Sequence, residues 1–260
     1  MPFPSIKRVI YKNNPLVEVI FQARYPRLLA IETEAPAEFQ RRVIAEYPIY
    51  EQRNVFQIVL ASSQERNTPA HEVTGRMHVF SSKDRVWTIT LVGDYFSIST
   101  SHYVRWEDFR TKIEAALKIG LDVYQFQIFT RIGLRYQDVI SRERLGLEKM
   151  PWQQLLQPHI AGEFSTAEVT EGAVTSKETV LTMKLGSEDN LLFRHGLVTH
   201  KDTQKLGYLI DSDFFNEEQR TADINGALQV ADRLHANSGR FFRWCISDAL
   251  HLAMEPSDAG

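Results

Sequence analysis

The sequence predicts an α+β fold, a curved antiparallel sheet with amphipathic helices packed on one face. Apolar and polar residues alternate over Leu16–Tyr25 and Phe129–Ile140, the period of a strand with one wet face. The turns Ser82–Asp84 and Gly93–Asp94 join successive strands, and connections this short make neighbouring strands antiparallel. Residues at helical spacing form one apolar stripe, and they are Trp106, Phe109, Ile113 and Leu117.

The other elements follow in a simple order. Residues 1–15 predict an extended arm, and a short helix opens near Pro36. Further strands bounded by turn residues are predicted over Val55–Ala61, Val73–Ser81, Val86–Val92, Tyr95–Ser101, Thr179–Leu185, Leu191–Thr199 and Leu206–Asp211. The last helical region covers Ala222–Met254, with a bend or break expected at Asn237–Gly239. The tail from Pro256 onward is expected to fray.

A strand that leads into an amphipathic helix occurs twice. Tyr95–Thr100 precedes the helix at Trp106, and Gly207–Asp211 precedes the final helical region. The repeat suggests two related modules, possibly intertwined in one compact domain. The predicted division is an N-terminal α+β module over residues 1–140, a joint over 141–175 and a C-terminal α+β module over 176–260.

Composition predicts a soluble cytoplasmic protein with a sizeable core. The chain has 260 residues, of which 43% are hydrophobic, and a net charge of -3, whereas a general nucleic-acid coat protein is strongly basic. The single cysteine, Cys245, excludes an internal disulfide and a cysteine-based zinc site. Residues Met1–Ser5 do not resemble a secretory signal, and no apolar run approaches the roughly 20 residues that span a bilayer. No membrane association is predicted.

The usual cofactor and hydrolase motifs are missing from the sequence. It contains no GxGxxG, Walker loop, HExxH or GxSxG. This counts against the best-known nucleotide-binding, zinc-protease and hydrolase classes. We therefore predict no cofactor and no metal, and the chain leans away from being an enzyme.

Three distinctive strings carry a family resemblance over nearly the whole chain: Arg8–Val19, Phe129–Tyr136 and Phe241–Asp248. The chain resembles a sporadically distributed family of uncharacterised prokaryotic proteins of similar length. The resemblance implies no activity and no site residue. The patchy occurrence of the family resembles that of mobile or antiviral defence genes, which is an association.

Arginines on one strand face form the candidate binding site. Arg131 and Arg135 share a face of the strand Phe129–Ile140, and a guanidinium presents a planar fork to a phosphate or carboxylate. The alternative is that they pair with carboxylates on a packed helix, such as Glu114. The predicted binding set is Arg24, Arg131, Arg135, Gln137 and Arg194.

Two histidines are the alternative catalytic candidates. His195 and His200 lie near one predicted hairpin, and histidine suits acid–base chemistry because its pKa is near 6.5. Metal-independent RNA-cleaving enzymes combine such groups with a nearby cation. Against this, five positions separate the two residues, which places them on opposite faces of a strand.

Three carboxylates are a weaker candidate group. Asp211 and Asp213 alternate at the end of a predicted strand, and Asp223 follows. Carboxylates on one face can hold Mg²⁺, whereas the alternative is helix capping by Asp213 and Asp223.

Two functions follow from these observations. The first is a non-enzymatic binding or regulatory protein that engages a protein partner, with nucleic acid as a further possibility. The alternative is a metal-independent RNA-processing enzyme that uses His195 or His200 with Arg131 and Arg135. The two differ in whether the histidines and arginines converge in one cleft.

Overall fold

A computed structural model describes residues 3–59, 70–166, 173–199 and 205–258. In these residues the predicted α+β fold is confirmed, as an open nine-stranded antiparallel sheet with helices packed against it. The strands are β1 (Val9–Tyr11), β2 (Leu16–Arg24), β3 (Ile49–Val59), β4 (Ala70–Ser81), β5 (Trp87–Val92), β6 (Tyr95–Thr100), β7 (Ile128–Phe129), β8 (Arg131–Ile140), β9 (Glu178–Lys184), β10 (Asp189–Thr199), β11 (Leu206–Asn216), β12 (Arg220–Thr221) and β13 (Pro256–Asp258). The helices are α1 (Leu29–Thr33), α2 (Ala37–Val43), α3 (Trp106–Tyr124), α4 (Trp152–Leu155), α5 (Pro158–Ala161), a 3-10 turn at Gly162–Thr166, α6 (Ile224–Cys245) and α7 (Asp248–Ala253).

The order of strands in the sheet is β3-β4-β5-β6-β2-β8-β11-β10-β9. Strand β6 returns to pair with β2, and β11 returns in the same way to pair with β8, while β2 and β8 pair with each other. A long helix follows each returning strand, α3 after β6 and α6 after β11. A second series of strands followed by a long helix thus begins at β8. Strand β8 lies within residues 1–140, the predicted N-terminal module. The duplication and its boundaries remain predictions.

Burial alternates along the central strands, which separates the two faces of the sheet. On β2, Val19, Phe21 and Ala23 are buried, and on β8 Ile132 and Leu134 are buried. These residues face the helices, because all of them belong to the same core as the apolar stripes of α3 and α6. Ile20, Gln22, Arg131 and Arg135 on the other face are partly exposed, and Gly133 lies beneath the Arg131 side chain, so one face of the sheet is packed and the other is open, as antiparallel sheets permit.

The long helices form where the sequence predicts them, and their apolar stripes are buried. In α3 the residues Trp106, Phe109, Ile113 and Leu117 all lie in the core. Helix α6 begins after Asp223, whose side chain accepts a hydrogen bond from the Gly226 backbone N–H at 2.7 Å. This capping satisfies one of the free N–H groups of the first turn.

Strand β11 is longer than predicted. The prediction ended it at Asp211, but pairing with β8 and β10 continues to Asn216. Phe214 is buried on the packed face, so the segment after Asp211 continues the strand and does not lead directly into the helix.

The break in the last helical region lies later than predicted. Asn237 and Ser238 donate hydrogen bonds to carbonyls of their own helix, those of Arg233 and His235, and α6 continues through them. It ends at Cys245, and Ser247 caps α7 by accepting from the Leu250 N–H at 3.2 Å. Ser247 at the N-cap is a stronger signal for the start of a new helix than Asn237–Gly239 is for a break.

The expectation of a frayed tail is wrong for Pro256–Asp258. This segment is β13 and pairs antiparallel with β1. Ion pairs from Lys7 to Asp258 and from Lys12 to Glu255, both at 2.7 Å, flank the pairing. The extended arm is therefore held along the body of the protein.

No helix within the described residues combines the length and apolarity that crossing a bilayer requires.

Truncating the apolar stripe of α3 should destabilise the fold. Phe109 is 1% exposed, so Phe109→Ala should lower the free energy of unfolding by about 2–5 kcal/mol. The control Leu252→Ala removes a leucine that is 67% exposed and should cost less than about 0.5 kcal/mol. Urea unfolding of both variants measures the difference, and equal stabilities would show that the stripe does not pack as described.

Candidate functional site

The predicted binding residues lie on the open face of the sheet, across β2, β8 and β10. Arg131, Arg135 and Gln137 share this face of β8, since the intervening residues of the strand are buried. Arg24 is in register with Arg131, and Arg194 is in register with Asp211, the partner of Gln137. We call this surface the arginine face, defined by Arg24, Arg131, Arg135, Gln137 and Arg194.

Arg131 is held flat against the sheet. Its Nη2 donates to both carboxylate oxygens of Asp213, at 3.0 and 2.8 Å, and its Nη1 donates to Gln22 Oε1 at 3.1 Å. The guanidinium carbon lies 4.5 Å from the centre of the Phe215 ring. A Cβ at Gly133 would overlap the guanidinium, so the glycine makes room for it. Arg131 is therefore a fixed part of the face.

Arg135 is paired just as closely. Its Nε and Nη2 donate to the two oxygens of Asp211, at 2.7 and 2.5 Å, in a bidentate pair. The carboxylates that neutralise Arg131 and Arg135 therefore come from β11 and not from a helix. Glu114, which we considered as a partner, pairs with Arg110 instead. The alternative considered above, pairing with carboxylates, is thus found, with a strand in place of a helix as their source.

The same contacts assign the three candidate magnesium ligands. Asp211 and Asp213 each have both oxygens bonded to an arginine, and Asp223 caps α6. Asp211 and Asp213 therefore have no carboxylate oxygen left free for a metal, and Asp223 uses one of its oxygens for the cap.

Arg194, Arg24 and Gln137 are the less constrained members of the arginine face. Among the described residues the Arg194 guanidinium has no hydrogen bond or ion pair, because both oxygens of its register neighbour Asp211 are bonded to Arg135. Arg24 is exposed and donates only to Gln22 Oε1, at 3.4 Å. These two arginines can bind a carboxylate or phosphate of another molecule without breaking an internal ion pair.

His195 lies on the other side of the sheet from the arginines. It is buried on β10, and its Nδ1 shares a 2.8 Å hydrogen bond with the Tyr208 hydroxyl, which donates to the Ile160 carbonyl at 3.1 Å. Burial, with the nearby Lys177, lowers the pKa of His195 to about 4. His200 lies outside the described residues. The structure does not bring His195 together with Arg131 or Arg135.

A cavity of about 370 Å³ on the packed side was not predicted. It lies between the arm around β1, the loop before α3, the middle of α6 and the floor formed by β8 and β11. Asp138 is part of this floor and is 5% exposed. The sequence holds a signal for it, because Asp138 has the same strand parity as the core residues Ile132, Leu134 and Tyr136.

One wall of the cavity contains a fixed histidine. The Nδ1 of His235 shares a 2.8 Å hydrogen bond with the Tyr136 hydroxyl, and its ring stacks on Trp106 at 4.5 Å between centroids. Trp106 Nε1 in turn donates to Asp232 Oδ1 at 2.8 Å. Burial, with the nearby Arg8, lowers the pKa of His235 to about 4. A neutral His235 at physiological pH acts as a rigid wall rather than as a proton donor.

Comparison with protein-family models and with curated proteins finds no match for this chain. The family resemblance described above therefore remains a prediction.

The two arginines Arg135 and Arg194 should differ in their effect on stability. Arg135→Ala leaves the buried Asp211 without its partner and should lower the free energy of unfolding by about 1–3 kcal/mol. Arg194→Ala breaks no internal bond and should change it by less than about 0.5 kcal/mol. Urea unfolding at low and high salt compares the two, and a larger loss for Arg194→Ala would contradict the contacts described.

The buried histidines should make the protein less stable in mild acid. His195 and His235 have a pKa of about 4 in the folded chain and about 6.5 when unfolded, so the unfolded state binds more protons between these values. Their contribution to stability should therefore be lost as pH falls from about 6.5 towards 4. Proton NMR can follow the two imidazoles separately from the carboxyls, and midpoints near 6.5 would contradict their burial.

Proposed function

We propose that this chain is a non-enzymatic binding or regulatory protein that engages a protein partner through the arginine face. The observation that carries the proposal is the one-sided packing of the sheet. In the described residues all helices that contact the sheet lie on one face, and the other face presents a fixed array of arginines and aspartates. Pre-ordered side chains lose little entropy when a partner binds.

The charges of this face favour a protein partner over a phosphate backbone. Arg131 and Arg135 are neutralised by Asp213 and Asp211, which would repel phosphates, and the net charge of the chain is -3. Of the four arginines that define this face, only Arg24 and Arg194 have no carboxylate partner among the described residues. From strand spacing and register they lie roughly 25 Å apart, a span that suits a standard interface of about 800 Å² on each partner. Two acidic side chains on a protein partner would match them.

The family resemblance suggests the kind of biological system in which this binding protein acts. The patchy occurrence of the family is typical of mobile or antiviral defence systems, in which binding and regulatory proteins operate. The proposal also takes the protein to be cytoplasmic, on the ground of its single cysteine, Cys245.

The metal-independent RNA-processing enzyme is not our proposal. It needs His195 or His200 close to Arg131 or Arg135; His195 is buried on the opposite face of the sheet, and His200 lies outside the described residues. No described contact favours it.

Replacing the two arginines that lack a carboxylate partner should test the proposal. Arg24→Ala combined with Arg194→Ala should weaken partner binding roughly 2- to 30-fold, the effect of two exposed ion pairs, and should reduce its salt dependence. Stability should change little, because neither side chain holds an internal ion pair. The measurement is co-purification from the native host with mass spectrometry of bound protein and nucleic acid, followed by titration of the identified partner.

The matched control removes the same charge from the helical side. Arg41→Ala combined with Lys118→Ala changes two exposed cations on α2 and α3 and should leave binding unchanged. Equal binding by both double variants would overturn the assignment of the arginine face. A third outcome is a complex that nuclease treatment destroys and that is lost in Arg24→Ala/Arg194→Ala but kept in the control. This outcome would assign the face to nucleic acid and overturn the proposal of a protein partner.

A further inference from the structure

The cavity beneath α6 has an unpaired carboxyl group at its floor. Asp138 is 95% buried, since its exposed fraction is 5%. Its carboxyl has no hydrogen bond or ion pair among the described residues. Asp138 lines the cavity. Its carboxylate oxygens have no hydrogen-bond partner and are not completely enclosed by protein atoms, so they face the cavity. An unpaired buried carboxylate is costly, and native proteins rarely retain one without a use.

The polar neighbours of Asp138 are bonded elsewhere. The Tyr11 hydroxyl shares a 2.8 Å hydrogen bond with His251, and the Tyr136 hydroxyl shares one of the same length with His235. The Ser238 hydroxyl donates to the His235 carbonyl at 2.9 Å. The hydroxyls of Tyr11, Tyr136 and Ser238, which line the same cavity, are therefore engaged with groups other than Asp138.

The walls of the cavity fit an apolar body. Tyr103, Phe242, Ile6 and Leu16 contribute aromatic and aliphatic surface, and the volume of about 370 Å³ lies in the range of small-molecule sites, about 300–1,000 Å³. Aromatic faces also attract cations. The walls and the floor therefore select for the same kind of molecule.

We propose that this cavity binds a small organic cation, an amine or amidine on an apolar body, with Asp138 as its counter-ion. The site is separate from the arginine face, because Asp138 lies on the packed side of β8 and Arg135 on the open side. The inference therefore goes beyond the proposed function and does not depend on it.

Arginines at the rim do not oppose a cation at the floor. Arg8 pairs with Glu107 at 2.7 Å, and Arg105 pairs with Asp108 at 2.8 Å, so each brings its own carboxylate. Both arginines lie at the exposed edge of the cavity, whereas Asp138 lies at the bottom. Arg240 also lines the cavity, and among the lining Asp, Arg and His residues only Asp138 is buried.

Proton linkage gives the proposal a distinctive signature. Burial, with the nearby Asp211, raises the pKa of Asp138 well above its usual range, and a bound cation would lower it again. Binding should therefore release protons, and the affinity should fall as pH falls below this raised pKa. The charged and titratable groups around the site are Arg8, Tyr11, Tyr103, Arg105, Tyr136, Asp211, His235, Arg240 and Cys245.

The test uses three probes of similar shape and different charge. They are 2-phenylethylamine, its neutral analogue 2-phenylethanol and the anion 3-phenylpropionate, each titrated into the full chain by calorimetry. The amine should bind more tightly than the alcohol by about 10- to 100-fold, and the anion should bind weakest. Heats measured in two buffers of different ionisation enthalpy should show proton release with the amine only.

Two variants separate a binding role from a structural one. Asp138→Asn should lose the preference for the amine while raising the melting temperature, because it removes an unpaired buried acid. The control Asp122→Asn makes the same charge change at the far end of α3 and should keep the preference. Lack of amine binding by the wild-type protein, tighter binding of the anion, or a lower melting temperature for Asp138→Asn would overturn the proposal.

Discussion

The pairing of β2 with β8 at the centre of the sheet fixes which residues face the helices. In this pair Phe21 lies opposite Leu134 and Ala23 opposite Ile132, all without exposed surface. Because successive side chains point to opposite faces, a slip of one residue would move Leu134 to solvent and bring Arg135 into the core. The register of this pair therefore determines both the packed core and the array of charges on the open face.

The two faces treat charge in different ways. On the open face, Arg131 and Arg135 are each bonded to an aspartate of the next strand. Because the guanidinium is planar, each of these hydrogen bonds costs little side-chain entropy. On the packed face, Asp138 breaks the apolar pattern and has no partner among the described residues. Locally inconsistent residues of this kind concentrate at functional sites, which is why the cavity carries a binding proposal.

The sequence predicts the fold well because strand period and helical stripe are local patterns, as in β2 and α3. It predicts the face of Arg131 and Arg135 for the same reason. It could not identify Asp211 as the partner of Arg135, since that contact depends on pairing between strands distant in the chain. The parity of Asp138 is visible in the sequence, but the cavity itself could not be predicted, because its walls come from four separate segments. Pairing of β1 with β13 was missed because strands this short carry no periodicity.

The β1–β13 pair links two segments that lie at opposite ends of the described chain. One of them, the arm containing β1, is also a wall of the cavity above Asp138. A ligand that binds better when the arm is in place would therefore also favour the β1–β13 pairing, and such a coupling would be reciprocal. A molecule in the cavity would slow the local opening of both strands, and anything that draws β13 away would speed its escape.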